Sequence, residues 1–222
     1  MATYQEVVAN YDFSDYSMMG AAKEKLNMYS EVGITLTGDS NIRYIGLNFR
    51  DVVDYPFIFK GVYPAPGALA SSLPSRREYR EALASRGDII VIMVGSNDVD
   101  SPAILDGTIN STTIADRIFE VARIAVNGGL LPYIVELPGR FNLRTPNFTP
   151  NDYKNVSRAC NKTLHHRCGS RLIRLPLGFR NEDAYRDGVH FTQSFANQIA
   201  TKIFERVELD LRNNDNSITW ER

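Results

Sequence analysis

Gly33-Ile34-Thr35-Leu36-Thr37-Gly38-Asp39-Ser40-Asn41 decides how this chain is read. A short apolar run enters a tight Gly-Asp turn, and the turn delivers a serine. Asn41-Ile-Arg-Tyr-Ile-Gly-Leu47 follows and can open a helix. Ser40 therefore stands at the C-terminal end of a strand and the N-terminal end of a helix. Open α/β sheets gather their chemistry at that edge, and free backbone N–H groups at a helix start can hold a negative oxygen.

Outward from this stretch the chain alternates strand and helix patterns. Ile34 to Thr37 is the first strand and Phe57 to Gly61 a short second one. Pro74 to Ser85 reads as a helix. Ile89-Ile-Val-Ile-Met-Val94 is six apolar residues in a row, mostly β-branched, as a strand buried on both faces requires. Ile109 to Asn127 is an amphipathic helix with Ile114, Ile118, Val121, Ala122 and Ala125 on one face, stopped by Gly128-Gly129. Leu130 to Leu137 is the fourth strand, a helix starts at Pro150-Asn151-Asp152 and runs towards His166, and Arg171 to Leu175 is the fifth strand. Thr192 to Leu209 is the last helix, with Phe195, Ile199, Ile203 and Phe204 inward.

The pattern predicts an α/β fold: one three-layer, doubly wound, flavodoxin-like domain whose five-stranded parallel sheet has the order 2-1-3-4-5 and helices on both faces. Residues 1–30 are read as a helical lead-in, 31–211 as the domain, and 212–222 as a polar C-terminal tail. No repeat or linker suggests a second domain.

Composition is that of an ordinary globular protein: 222 residues, 43% hydrophobic, 23% charged, net charge −1. The balance gives no reason to expect nucleic-acid binding by this segment. No run approaches the ~20 apolar residues of a membrane span. Met1 to Asn10 has no cationic start of the secretory kind, so an intracellular, cytoplasmic setting is expected. The sequons at Asn110, Asn147, Asn155 and Asn161 are then read as chance matches, unless the chain is excised from a secreted precursor. Cys160 and Cys168 do not make a disulfide framework, and with His165 and His166 between them their spacing fits no common zinc pattern. The roles of these four residues stay open, as does the oligomeric state.

Three stretches fall where the topology gathers loops. They are Gly38-Asp39-Ser40-Asn41, Gly95-Ser96-Asn97-Asp98 after the long buried strand, and Asp187-Gly188-Val189-His190 before the last helix. Acyl transfer needs a nucleophile, a base, a carboxylate to orient the base, and donors for a developing oxyanion. Ser40 supplies a nucleophile. Of three histidines, only His190 lies in an edge loop beside an acid, and a turn of three residues lets Asp187 meet its Nδ1. The Asn97 side chain, the Ser40 amide and the amide of Gly67 or Gly61 supply donors; Gly67 is preferred because it lies deeper in its loop. Each residue also has a plain structural reading. Ser40 suits a helix N-cap, Asn97 and Asp98 suit turns, and His190 suits a surface. Asp39 is read as scaffold, and Tyr185 and Phe191 as packing. Arg140, Phe141 and Tyr63 border the site, where they line an acyl pocket, hold a phosphate or carboxylate, or form a rim.

In their order along the chain, these motifs resemble the SGNH (GDSL-type) hydrolases, from Ile34 to the last helix. The resemblance implies Ser40 as nucleophile, Asp187 and His190 as the rest of a triad, Gly67 and Asn97 as oxyanion donors, and ester hydrolysis with no metal or organic cofactor. Two features depart from the family pattern: Asn41 stands where leucine is usual, and the glycine block Gly61-Val-Tyr-Pro-Ala-Pro-Gly67-Ala68 carries two prolines. Leu137-Pro-Gly-Arg-Phe-Asn142, Arg171-Leu-Ile-Arg-Leu-Pro176 and Tyr185-Arg-Asp-Gly-Val-His-Phe191 are similar to esterase domains in first-reading-frame proteins of animal LINE retrotransposons. Those look like platelet-activating-factor acetylhydrolases, which implies a small-molecule ester with a small acyl group, acetyl above all. The contrasting expectation is a catalytically silent module of the same fold that engages RNA, lipid or a protein partner; phosphonate labelling of Ser40 separates the two. A nucleotide-binding flavodoxin-like protein is disfavoured, because no Gly-x-Gly-x-x-Gly or P-loop occurs.

Overall fold

The computed structural model describes residues 16–28, 30–178 and 181–212. The expected lead-in before Tyr16 and the tail beyond Arg212 lie outside them. The five strands are β1 (Val32–Gly38), β2 (Phe57–Pro64), β3 (Ile89–Met93), β4 (Leu131–Val135) and β5 (Leu172–Ile173). They form one parallel sheet in the order β2-β1-β3-β4-β5, the doubly wound arrangement expected from the alternation. The main helices are α1 (Tyr16–Asn27), α2 (Ser40–Val52), α3 (Arg77–Leu83), α4 (Ser111–Asn127), α5 (Pro150–Cys168) and α6 (Gln193–Arg212).

Alternate residues of β3 show why the sheet needs a layer on each side. Ile89, Val91 and Met93 enter one core with Met19 of α1, Ile42, Ile45 and Phe49 of α2, and Phe195, Ile199 and Ile203 of α6. Ile90, Ile92 and Val94 enter the other with Tyr79 of α3, Ile114, Ile118 and Val121 of α4, and Cys160 and Leu164 of α5. All six β3-run side chains are buried.

Several boundaries differ from the sequence reading, each for a physical reason. β2 does not end at Gly61. The pairing with β1 slips between Ile34 and Thr35, and Gly61, at φ +145, absorbs the bulge so that the strand continues to Pro64 opposite Gly38. The helix expected over 74–85 is a 3-10 turn, Leu73–Ser75, then an extended Arg76, then α3. β5 has two residues, because the Leu175 amide donates to the Glu136 side chain (3.0 Å) instead of extending the ladder. Asn110 caps α4 in a reciprocal capping box with Thr113, so that helix starts at Ser111.

Among the described residues, no helix is long and apolar enough to cross a membrane.

Candidate active site

Every parallel strand delivers its C-terminal end to one edge, and the exits of β1, β2 and β3 are stitched together there. Gly38 makes the first stitch. Its Cβ, if it had one, would lie 1.9 Å from the Met93 carbonyl oxygen, and its φ is +151. Only glycine allows this approach, and with it the Asp39 amide donates to the Met93 carbonyl (2.9 Å) while the Ala65 amide donates to the Gly38 carbonyl (2.8 Å).

Asp39, not Ser40, is the N-cap of α2. Its carboxylate accepts from the Asn41 amide (3.0 Å) and, through its other oxygen, from the Ser96 hydroxyl. Burial pushes its carboxyl above the ordinary value, against the lowering effect of the Ser96 and Asn41 hydrogen bonds. With capping done by its neighbour, the Ser40 side chain is released to the rim. Its Oγ lies 3.1 Å from His190 Nε2, across 150 residues of sequence.

The loop before α6 holds the other two residues. His190 Nδ1 lies 2.7 Å from Asp187 Oδ2. Asp187 Oδ1 accepts from the Val189 (3.0 Å) and His190 (2.7 Å) amides, so one carboxylate shapes the turn and orients the ring. Desolvation acts to raise the Asp187 pKa, but these bonds outweigh it and hold it at about 2. The carboxylate is therefore ionised at neutral pH and requires Nδ1 to carry the ring proton, leaving Nε2 free to accept from Ser40.

Two further contacts fix this loop. Asn41 is buried; its Nδ2 donates to the Val189 carbonyl (3.2 Å) and its Oδ1 accepts from the Phe191 amide (3.2 Å). A leucine there could do neither. From the β4 exit, the Phe141 and Asn142 amides both donate to the Gly188 carbonyl (2.7 and 3.1 Å). The Tyr44 ring packs on the imidazole at 5.5 Å between centroids, and Arg186 both covers that ring (4.8 Å) and donates to its hydroxyl (2.7 Å). Tyr185 and Phe191 are buried against each other and Phe195, and the Tyr185 hydroxyl accepts from the Gly139 amide (2.7 Å).

The residues expected as further donors, Gly67 or Gly61 and Asn97, come from the β2 side and the β3 exit. Gly67 is the third residue of a Pro66-Gly67 turn closed by the Ala68 amide on the Ala65 carbonyl (3.0 Å), with φ +73 and open space around it. Gly61 lies within β2, facing Thr35 of β1. Asn97 Nδ2 donates to the Ala68 carbonyl (3.1 Å), and buried Asp98 accepts from the Ala70 amide (2.7 Å) and from Arg117 (3.3 Å). The Gly67 loop is thereby pinned twice to the turn that carries Asn97.

Sequence reasoning placed Arg140 at the border of the site but gave no hint of its partners. It is buried, its Nη1 donates to Asn97 Oδ1 (3.1 Å), and its Nε lies 3.2 Å from Asp100 without pointing its N–H at that carboxylate. Asp100 was not singled out at all. Tyr63 gives its carbonyl to the Thr37 hydroxyl (3.1 Å).

Cys160 and Cys168 are buried on the α5 face, where burial raises both thiols to about 12, whereas His165 and His166 are exposed. Among the described residues, no group of three or more His, Cys, Asp or Glu side chains is placed to hold a metal ion.

No protein-family model matches the chain, and no curated protein matches it in sequence. Solved structures do match in fold. The chain is similar to an acetyl xylan esterase, AlAXEase, at 18% identity and TM-score 0.59, over 79% of this chain and 100% of that one. It is similar to a carbohydrate esterase family 3 protein from Talaromyces cellulolyticus at 17% identity and TM-score 0.57, over 81% and 98%. It is also similar to a GDSL-like lipase from Bacteroides thetaiotaomicron at 13% identity and TM-score 0.55, over 90% and 98%. At these identities what is shared is the fold.

Proposed function

We propose that this protein is a serine esterase of the SGNH type that hydrolyses carboxylic esters with a small acyl group, acetyl above all. One observation carries the reading: the Ser40–His190–Asp187 chain of contacts, 3.1 and 2.7 Å, at the sheet edge where the fold collects loops. Ser40 Oγ attacks the ester carbonyl as His190 Nε2 takes its proton. The carbonyl oxygen becomes an anion and accepts hydrogen bonds from the Ser40 amide, the Gly67 amide and Asn97 Nδ2. Collapse breaks the bond to the alcohol, and His190 returns the proton to that leaving oxygen. Water then attacks the acyl-serine by the same route, releasing the acid and free Ser40. Asp187 stays ionised throughout and balances the imidazolium. None of these steps calls for a metal or organic cofactor.

The small acyl group is supported by the chain's likeness to LINE-encoded esterase domains around Arg140, Arg174 and His190, and by the acetyl xylan esterase among the fold neighbours. Ser40→Ala is expected to abolish hydrolysis of p-nitrophenyl acetate and labelling by a fluorophosphonate, with an unchanged circular dichroism spectrum. Full activity in that variant refutes the assignment. A folded wild type that neither hydrolyses nor labels indicates a binding module instead.

A further inference from the structure

The amide of Asn97 has two nearly identical ends, and only one of them serves an oxyanion. With Nδ2 forward it donates to the negative oxygen; turned over, it presents Oδ1 and repels it. Its two neighbours settle the choice. The Ala68 carbonyl, which can only accept, lies 3.1 Å from Nδ2, and Arg140 Nη1, which can only donate, lies 3.1 Å from Oδ1. A flipped amide would set donor against guanidinium and acceptor against carbonyl.

We propose that Arg140 is a positioning residue for ester hydrolysis: it locks Asn97 in the donating orientation and polarises its amide towards the oxyanion. The inference rests on the esterase reading above. Arg140 suits the task because its planar guanidinium carries only donors, in a fixed fork, and its side chain is only 4% exposed. A guanidinium 3.1 Å from Oδ1, in a part-buried contact, draws electron density towards that oxygen and makes the remaining Nδ2–H a stronger donor.

Arg140 is itself held from behind. Asp100 forms the ion pair with Nε, and its carboxylate accepts from the Arg144 (3.0 Å) and Thr145 (3.1 Å) amides, so the β3 and β4 exits are joined through this pair. Arg140 Nη1 also lies 3.5 Å from the Ser96 carbonyl. A buried ion pair contributes little net stability compared with apolar packing, whereas one that ends on an oxyanion donor has a catalytic use.

The test is a double-mutant cycle on kcat with p-nitrophenyl acetate. Arg140→Met keeps the stem volume and removes the donor. It is expected to lower kcat about tenfold or more, a part of the 10²–10³ assigned to the whole donor, with KM moved by less than about threefold. In an Asn97→Ala background the same substitution is expected to change kcat by less than about twofold, because nothing is left to position. Because Arg140→Met leaves Asp100 as a lone buried charge, Arg140→Met/Asp100→Asn serves as the paired variant if the single one does not fold. It removes the charge and keeps an acceptor for the loop amides. Equal losses of kcat with and without Asn97, as a purely structural role would give, overturn the inference. Fluorophosphonate labelling of the wild type tests the esterase reading separately. A labelled, active wild type with additive losses refutes the Arg140 role alone, and an unlabelled, inactive wild type refutes both.

Discussion

Replacing Asp187 with asparagine removes one charge and almost no volume, and its cost follows from the contacts. The Oδ1 of asparagine can still accept from the Val189 and His190 amides, now at 3.0 and 2.7 Å, so the turn is kept. The other oxygen becomes an NH2 group facing His190 Nδ1, at a position now 2.7 Å away. A donor there forces Nδ1 to accept, which moves the ring proton to Nε2. Nε2 then points an N–H at the Ser40 Oγ, 3.1 Å away, and has no lone pair for the serine proton. A wrong tautomer of this kind costs roughly 10³–10⁴ in kcat, equivalent to about 4–5.5 kcal/mol of barrier. Stability should barely move, because the Asp187 side chain is 44% exposed and its structural bonds survive. The assay is kcat and KM for p-nitrophenyl acetate at pH 7 to 8, with thermal melts alongside. A variant within tenfold of wild-type kcat, or one whose lost activity tracks a lost melting transition, refutes the tautomer argument. Because Asp187 is held at about 2, it stays ionised at every working pH. The small stabilising effect of Asp187 is therefore kept at working pH and is lost only as pH falls from the usual carboxylate range towards 2.

Gly38→Ala should destabilise severely, since its methyl would sit 1.9 Å from the Met93 oxygen. We expect a loss above about 4 kcal/mol or an insoluble product, and an unchanged urea midpoint contradicts the close-approach argument. Asp39→Asn should keep the helix cap through its Oδ1 and can donate to Ser96. The wild-type carboxyl is raised by burial, so its ionised form disfavours the fold, and stability is lost as pH rises through the folded value. The variant should therefore gain melting temperature over wild type at pH 8, with the gain shrinking towards pH 4; a variant less stable at pH 8 refutes this. Cys160 and Cys168, buried and with thiols at about 12, should react with a disulfide reagent only after unfolding, both together. Rapid labelling of the native protein contradicts that burial.

What the sequence disclosed depended on how local the signal was. The 89–94 run carries its own evidence, since six apolar residues have no solvent face, and the sheet order followed from alternation and handedness. The strand ends did not, because Gly61 looks like a stop and becomes one residue of a bulge only through its pairing with Thr35. Asp-x-x-His is a local pattern, and the structure brings that pair to Ser40. The Arg140–Asp100 pair spans 40 positions and carries no motif, and nothing in the residues around Arg140 says that its guanidinium turns inward to Asn97.

Asn41 has a consequence for how such a site can change over time. The residue after Ser40 grips the backbone on both sides of His190, so a drift of α2 carries serine and histidine together as one piece. Their spacing is then insulated from the connection that leads out of β5. Changes early in that connection, before Tyr185, can then leave the separation of the Ser40 and His190 side chains as it is.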